Sequence, residues 1–233
     1  MASAHFYKQP EPGKYIITGF QTVGFISVLA LSYLEDKGII KDSGYIESEN
    51  GGYVALVEKG DVTFPIRVLE SDDAIFISSE LPMLRNEVDP VVDEIINIYK
   101  KNKCKAIIAL DGIGINEQKN TSEVYYVPVN LKDKLTKFKL LEEGAVFGLN
   151  ARLAFKCKET STPLIMLMAE THESIPDGIA AAALISALKT IIKLDVDTSG
   201  LVMEYKKMMG KINRTVKNVQ PAGEEKGQEE LYG

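Results

Sequence analysis

The chain has 233 residues, 45% of them hydrophobic, with 18 Gly and 9 Pro. That length holds one large domain or two small ones, and the composition excludes collagen-like and disordered chains. With 27 basic against 33 acidic side chains, the net charge is −6. An acidic chain without a basic cluster is poorly suited to nucleic acid or to an anionic membrane surface, since both recruit partners through Lys and Arg.

Residues 1–13 contain no apolar stretch of the kind that forms a secretory signal. With Cys104 and Cys157 as the cysteines, the expected setting is reducing and cytoplasmic. In chain order, Tyr15–Phe20 reads as a buried strand, and residues 23–37 as a helix, apolar on nearly every side, that stops at Gly38. Residues 53–58 and 64–69 read as a hairpin turning at Lys59-Gly60-Asp61. Ala74–Ser79 is a second buried strand. Val88, Val91, Val92, Ile95, Ile96 and Tyr99 form one face of a helix that Asp89-Pro90 would start. Residues 105–110 and 164–169 are two further strands. Ala180, Ala183, Leu184, Ala187, Leu188 and Ile191 mark another helix, with Ser174 and Asp177 as a capping box and Pro176 in the first turn.

The strand runs are almost continuously apolar rather than alternating, as in strands covered on both faces of a parallel sheet. Alternation with helices predicts an α/β domain over residues 1–198, built on a mostly parallel central sheet flanked by helices. Beyond it, Leu201, Tyr205, Met208, Ile212, Val216 and Val219 make a narrow stripe on a long helix over 199–219. Such a stripe serves either an oligomerisation seam or packing of the helix on its own domain. Residues 220–233 form an acidic, Gly-containing tail expected to be flexible, ending in Leu231-Tyr232-Gly233.

Acidic residues follow the strand ends: Glu80, Asp111, Glu142 with Glu143, and Glu170 with His172. The carboxyl ends of strands are where open α/β sheets bind ligands. A carboxylate beside an imidazole makes an acid–base pair, so Glu170, His172 and Asp111, with Asp177 nearby, are candidates for a small-molecule hydrolase or phosphorylase-like reaction. Gly19-Phe-Gln-Thr-Val-Gly24 and Asp111-Gly-Ile-Gly114 are glycine turns at strand ends. Neither has P-loop or dinucleotide spacing. The two His and two Cys have no metal-ligand spacing, so neither metal nor cofactor is expected.

The order of motifs carries further. It runs Gly19-Phe20 with Gly24, Gly44-Tyr-Ile-Glu-Ser48, Asp73 with Ile75 to Glu80, Asp111-Gly-Ile, and Glu143-Gly144 with Gly148. It closes with Ala169-Glu-Thr-His172, Pro176-Asp177, Ala180-Ala-Ala-Ala-Leu184 and Asp195-Val-Asp197. Over about residues 15–215 this series resembles the proteasome assembly chaperone family, its archaeal members in particular. The resemblance implies a phosphorylase/hydrolase-like α/β fold, no firmly attached catalytic activity despite an old ATP-grasp label, homo-oligomers, and C-termini directed at the proteasome core particle. A paralogous subunit is the alternative oligomeric partner. The family's first loop reads Gly-Phe-Pro-Gly, where this chain has Gln21-Thr22 in place of Pro-Gly. Ser27 stands where a further glycine is common.

Beside that resemblance the tail has a meaning. Leu231-Tyr232-Gly233 matches the hydrophobic-tyrosine-any-residue signature with which proteasome activators enter pockets of the core particle's outer ring. Composition alone produces such an ending about 2% of the time. Tyr232 offers a rigid apolar body with a polar tip, Leu231 fills a pocket wall, and the Gly233 carboxylate pairs with a basic group. A linker of about ten residues reaches roughly 16–19 Å.

Overall fold

The computed structural model describes residues 1–48, 54–58, 60–115, 120–133, 135–172, 176–203 and 205. In chain order its elements are β1 (Ala2–Phe6), β2 (Tyr15–Phe20), a 3-10 turn (Val23–Phe25), α1 (Ile26–Asp36) and β3 (Lys41–Ser48). β4 (Leu56–Glu58), β5 (Asp61–Thr63), β6 (Ile66–Glu70), β7 (Ala74–Ser79) and α2 (Arg85–Lys101) follow. The chain continues through β8 (Ile107–Gly114), β9 (Val124–Val129), β10 (Lys139–Leu140), α3 (Gly148–Glu159), β11 (Leu164–Thr171) and α4 (Gly178–Leu188). Among the described residues, nine strands form one sheet in the order β1-β3-β6-β7-β2-β8-β11-β9-β10.

The four apolar runs legible in the sequence are its centre: β7, β2, β8 and β11 are mutually parallel. Both flanks reverse direction. β6 meets β7 through the three residues between Glu70 and Ala74, a connection too short for a parallel crossover. β9 runs antiparallel to β11, and β10 parallel to β9. The fold is therefore α/β with a parallel core inside a mixed sheet.

Helices cover both faces of the parallel core. α1 and α4 pack on one, with Ile17, Ile108, Leu110, Phe76 and Leu167 beneath them. α2 and α3 pack on the other, over Ile16, Ile75, Ile77, Ile107 and Met166. Because alternate residues of each central strand feed opposite cores, both registers must be apolar.

Several local expectations change. The hairpin partner of β4 is β5, not residues 64–69, and Ile66–Glu70 instead joins the main sheet between β3 and β7. Its Ile66 and Val68 are wanted in the α2 core, which a peripheral hairpin cannot offer. α2 begins at Arg85, not at Asp89-Pro90. Glu87 accepts a hydrogen bond from the Leu84 N–H at 3.0 Å, so the cap forms upstream and Pro90 sits inside the helix. Asp177 caps α4 by itself, its Oδ1 accepting from the N–H groups of Ile179 and Ala180. Pro176 precedes that helix, and Ser174 lies outside the described residues. Asp111-Gly-Ile-Gly114 is the end of β8 rather than a turn, pairing with β11 as far as Thr171. α3 is a further helix, not among those expected, and its Leu149, Leu153 and Cys157 are buried.

Of the C-terminal stripe, Leu201 and Tyr205 are described, and both are buried by their own domain. Gly178 makes room for them: a Cβ there would lie 2.6 Å from Tyr205 Cβ. The Tyr33 hydroxyl donates to the Asp197 carbonyl at 2.9 Å, fastening the connecting segment. Met208, Ile212, Val216 and Val219 lie outside the described residues.

Both thiols are buried in the α2/α3 core, and burial pushes Cys104 up to about 11 and Cys157 up to about 12. The unfolded chain ionises them near 9, so between pH 9 and 12 the native state holds protons that the unfolded state has released. Stability should fall across that window. At pH 8, iodoacetamide is expected to label neither cysteine in the native protein and both in denaturant. Native labelling at a rate matching the unfolded chain would contradict this burial.

Candidate functional site

β2 and β8 are neighbours in the sheet, but the chain leaves β2 toward β3 and β7 on one side and leaves β8 toward β11 on the other. A crevice opens where neighbouring strands send their connections apart, outside the strands' carboxyl ends. Here it is a cavity of about 170 Å³, walled by the loop after β2 (Phe20 to Val23), by Asp111 and Gly112 of β8, and by residues 145–150 at the start of α3.

The loop after β2 is held from several sides. The Ser27 hydroxyl donates to the Phe20 carbonyl at 2.8 Å and meets the Thr22 hydroxyl at 2.7 Å. Of the departures from the family pattern, Gln21, Thr22 and Ser27, the latter two are thus partners that close the loop. Gly24 has φ +67 and its carbonyl accepts from the Asp177 N–H at 3.0 Å. A Cβ on Gly24 would strike Thr171 Oγ1 and lie 2.8 Å from the His172 carbonyl oxygen. Gly112 is equally confined, between Val23 and Thr171. These glycines serve close packing between strand ends.

Asp111 is 5% exposed, and its side chain faces α3. Its Oδ1 accepts from the Gly112 N–H at 2.8 Å and its Oδ2 from Asn150 Nδ2 at 3.0 Å. Burial raises its pKa above the ordinary carboxylate value, against the lowering effect of those two hydrogen bonds. Asn150 is 2% exposed, and its Nδ2 also donates to the Leu110 carbonyl at 3.1 Å. Its Oδ1 is buried without a partner among the described residues, as is Oε1 of Gln21.

The proposed catalytic trio does not assemble around this pair. Glu170 stands opposite Ile113 in the β8–β11 register, whereas Asp111 stands opposite Met168. That is an offset of two residues, or about 7 Å along the strand. His172 Nε2 is buried and has no hydrogen-bond partner among the described residues. Asp177 is spent on the α4 cap and on Thr171 Oγ1 at 3.2 Å. Glu80, Glu142 and Glu143 are exposed. No group of three or more His, Cys, Asp or Glu among the described residues could hold a metal ion. No helix among them is long and apolar enough to cross a membrane.

Asn150 and the start of α3 are the features of this site that sequence reasoning missed. Leu149, Leu153 and Cys157 at four-residue spacing were the available signal for the helix. The docking residues Leu231, Tyr232 and Gly233 lie outside the described residues.

A parallel-centred sheet between two helical layers, open at its switch point, defines an α/β protein of the crevice-bearing kind. More particularly, the chain belongs to the PAC2 family, whose sequence profile matches residues 16–216. The fold is that of Pyrococcus furiosus PbaA, an archaeal homologue of proteasome-assembly chaperone, at TM-score 0.83 and 23% identity over 94% of this chain and 93% of that one. Pyrococcus furiosus PbaB, an archaeal proteasome activator, matches at TM-score 0.77 and 19% identity over 93% and 98% of the two chains. A proteasome-assembly chaperone homologue from Mycobacterium tuberculosis matches at 0.67 and 13%, over 89% and 96%. No curated protein matches the chain.

Proposed function

We propose that this chain is a non-enzymatic proteasome-binding factor, an assembly chaperone or core-particle activator, which docks Leu231-Tyr232-Gly233 into pockets of the proteasome's outer ring. The observation that carries the reading is the meeting of two independent features. One is membership of the PAC2 family across residues 16–216, with structural relatives described as proteasome-assembly chaperone homologues and as a proteasome activator. The other is the Leu-Tyr-Gly sequence that closes the chain.

Chemistry at the strand ends offers less support for a reaction. Asp111 is consumed by Gly112 and Asn150, and His172 Nε2 meets no carboxylate among the described residues. A docking role asks less of the domain: it must be stable, and it must present its tail. A three-residue segment binds weakly alone because ordering it costs conformational freedom, so several tails acting together are required. Oligomerisation, as a homo-oligomer or with a paralogous subunit, supplies them. Leu201 and Tyr205 are already covered by their own domain, so the seam would use the later stripe, Met208, Ile212, Val216 and Val219, or faces of the domain.

The test is co-sedimentation of core particle with the full chain and with a chain lacking residues 231–233, read together with peptide hydrolysis. Binding that vanishes on truncation is expected. Stimulated hydrolysis would mark an activator and silent binding a chaperone. Equal binding by both forms would overturn the tail-docking reading.

A further inference from the structure

We infer that a second copy of this chain lays its residues 206–219, as an amphipathic helix, into an apolar groove between the start of α2 and the ends of β3 and β7. The inference rests on the oligomeric part of the docking reading and names the surface that receives the later stripe.

The groove is a cavity of about 610 Å³ on the α2 side of the sheet. Ile46 and Ile66, both buried in the α2 core, form its floor. Val54, Phe64, Met83 and Leu84 form its walls, and Val54, Phe64 and Leu84 are 50%, 42% and 52% exposed. Phe64 stacks on the Tyr45 ring, and the Ser79 hydroxyl donates to the Leu81 carbonyl at 3.1 Å, so the walls are set before anything binds. Small-molecule sites bury most of their ligand, whereas walls this exposed suit one face of a larger partner. Large apolar side chains gathered at one surface mark such contacts.

Charge narrows the partner. The charged side chains that line the groove are Glu47 and Glu87, and Glu80 stands exposed between Ser79 and Leu81. Among the described residues no Lys, Arg or His lines it, although Arg85 and His5 border it. An apolar floor under an acidic rim fits a basic amphipathic segment. Residues 206–219 answer that description, with Lys206, Lys207, Lys211, Arg214 and Lys217 and no Asp or Glu. Met208, Ile212, Val216 and Val219 follow at steps of four, four and three, which gathers them on one helical face.

Reach decides which copy supplies the segment. Tyr205 packs against Gly178, just beyond β11 and on the α1/α4 side of the sheet. β11 stands three strands from β7 and five from β3, or about 14 and 24 Å. Met208 lies three residues past Tyr205, within about 11 Å of it even when extended. The groove is also on the opposite face. A chain's own stripe therefore cannot lie whole in its own groove, and a neighbour's can.

The experiment oxidises the full chain carrying both Leu84→Cys and Ile212→Cys and reads the products on a non-reducing gel. Cys104 and Cys157 are buried and stay out of the reaction. The expected result is covalent products of two or more chains, at least tenfold more abundant than from either single variant. A product closed within one chain would overturn the proposal, because the groove would then hold its own segment. Equal yield from Leu84→Cys alone would overturn it as well. Sedimentation velocity supplies a second readout. Leu84→Lys places a cation against the basic segment at an exposed position, so self-association should weaken at least about tenfold with the circular dichroism spectrum unchanged. Unchanged association in that variant, or a wild-type chain that sediments as a monomer at every concentration, would overturn the inference. None of these readouts uses the core particle or residues 231–233, so the groove and the docking tail fail separately.

Discussion

Gly24→Ala is expected to lower stability by roughly 2–5 kcal/mol, which for a domain of this length moves the thermal midpoint by on the order of 10 °C. Two costs combine. The residue sits at φ +67, where a side chain is disfavoured by about 1–2 kcal/mol. The new Cβ would also run into Thr171 Oγ1 and lie 2.8 Å from the His172 carbonyl oxygen. Retreat is blocked, because the Gly24 carbonyl is tied to the Asp177 N–H and the Ser27 hydroxyl holds the loop at Phe20. Gly38→Ala separates the two costs: φ there is +69, but no atom lies within 4 Å of the new Cβ. It should lose only the backbone part, about 1–2 kcal/mol. Urea denaturation of both variants checks the difference; equal midpoints would mean that the strand ends yield freely around Gly24.

Tyr232→Ala is expected to reduce association with the proteasome core particle by at least a hundredfold while leaving the far-ultraviolet circular dichroism spectrum and thermal midpoint unchanged. A buried aromatic anchor typically accounts for about 2 kcal/mol or more of an interface, some thirtyfold for a single tail. Where several tails engage together, the loss compounds across them through effective concentration. The same reasoning orders the neighbours. Leu231→Ala should cost less than Tyr232→Ala, and amidation of the terminal carboxylate should weaken binding by removing its charge. Surface-immobilised core particle with the variants as analytes provides the measurement. Affinity unchanged in Tyr232→Ala would shift the interaction to the domain faces.

The centre of the sheet was legible because burial on both faces leaves a direct mark in the chain. Ile16 and Ile17 must be apolar to enter opposite cores, and so must Ile107 and Ile108, which makes an uninterrupted run. The α2 face was equally plain, with its apolar residues at helical spacing. What failed were short-range signals competing with long-range ones. Lys59-Gly60-Asp61 announces a turn, yet it cannot say that β5 ends at Thr63 and that Ile66–Glu70 belongs between β3 and β7. Asp89-Pro90 is a sound start signal overridden by Glu87 capping one turn earlier. Asp111-Gly-Ile-Gly114 has turn chemistry, but pairing with β11 keeps it extended.

The candidate site divides the same way. Asp111, Gly24 and the loop after β2 stood out locally, because glycines and an acidic residue at strand ends are visible in one dimension. Asn150 did not, because it lies 39 residues beyond Asp111, in a separate helix. The sequence by itself determined the α/β class, the parallel centre and the family resemblance, since each is written in contiguous residues or their order. Only the tertiary structure decided that Asp111 meets Asn150 rather than His172, that Thr22 and Ser27 close one loop, and that Leu201 and Tyr205 turn back onto Gly178. Those pairings depend on which strands lie side by side and on who fills the space between them. Strand order and packing arise from the whole chain folding at once, so no local stretch carries them.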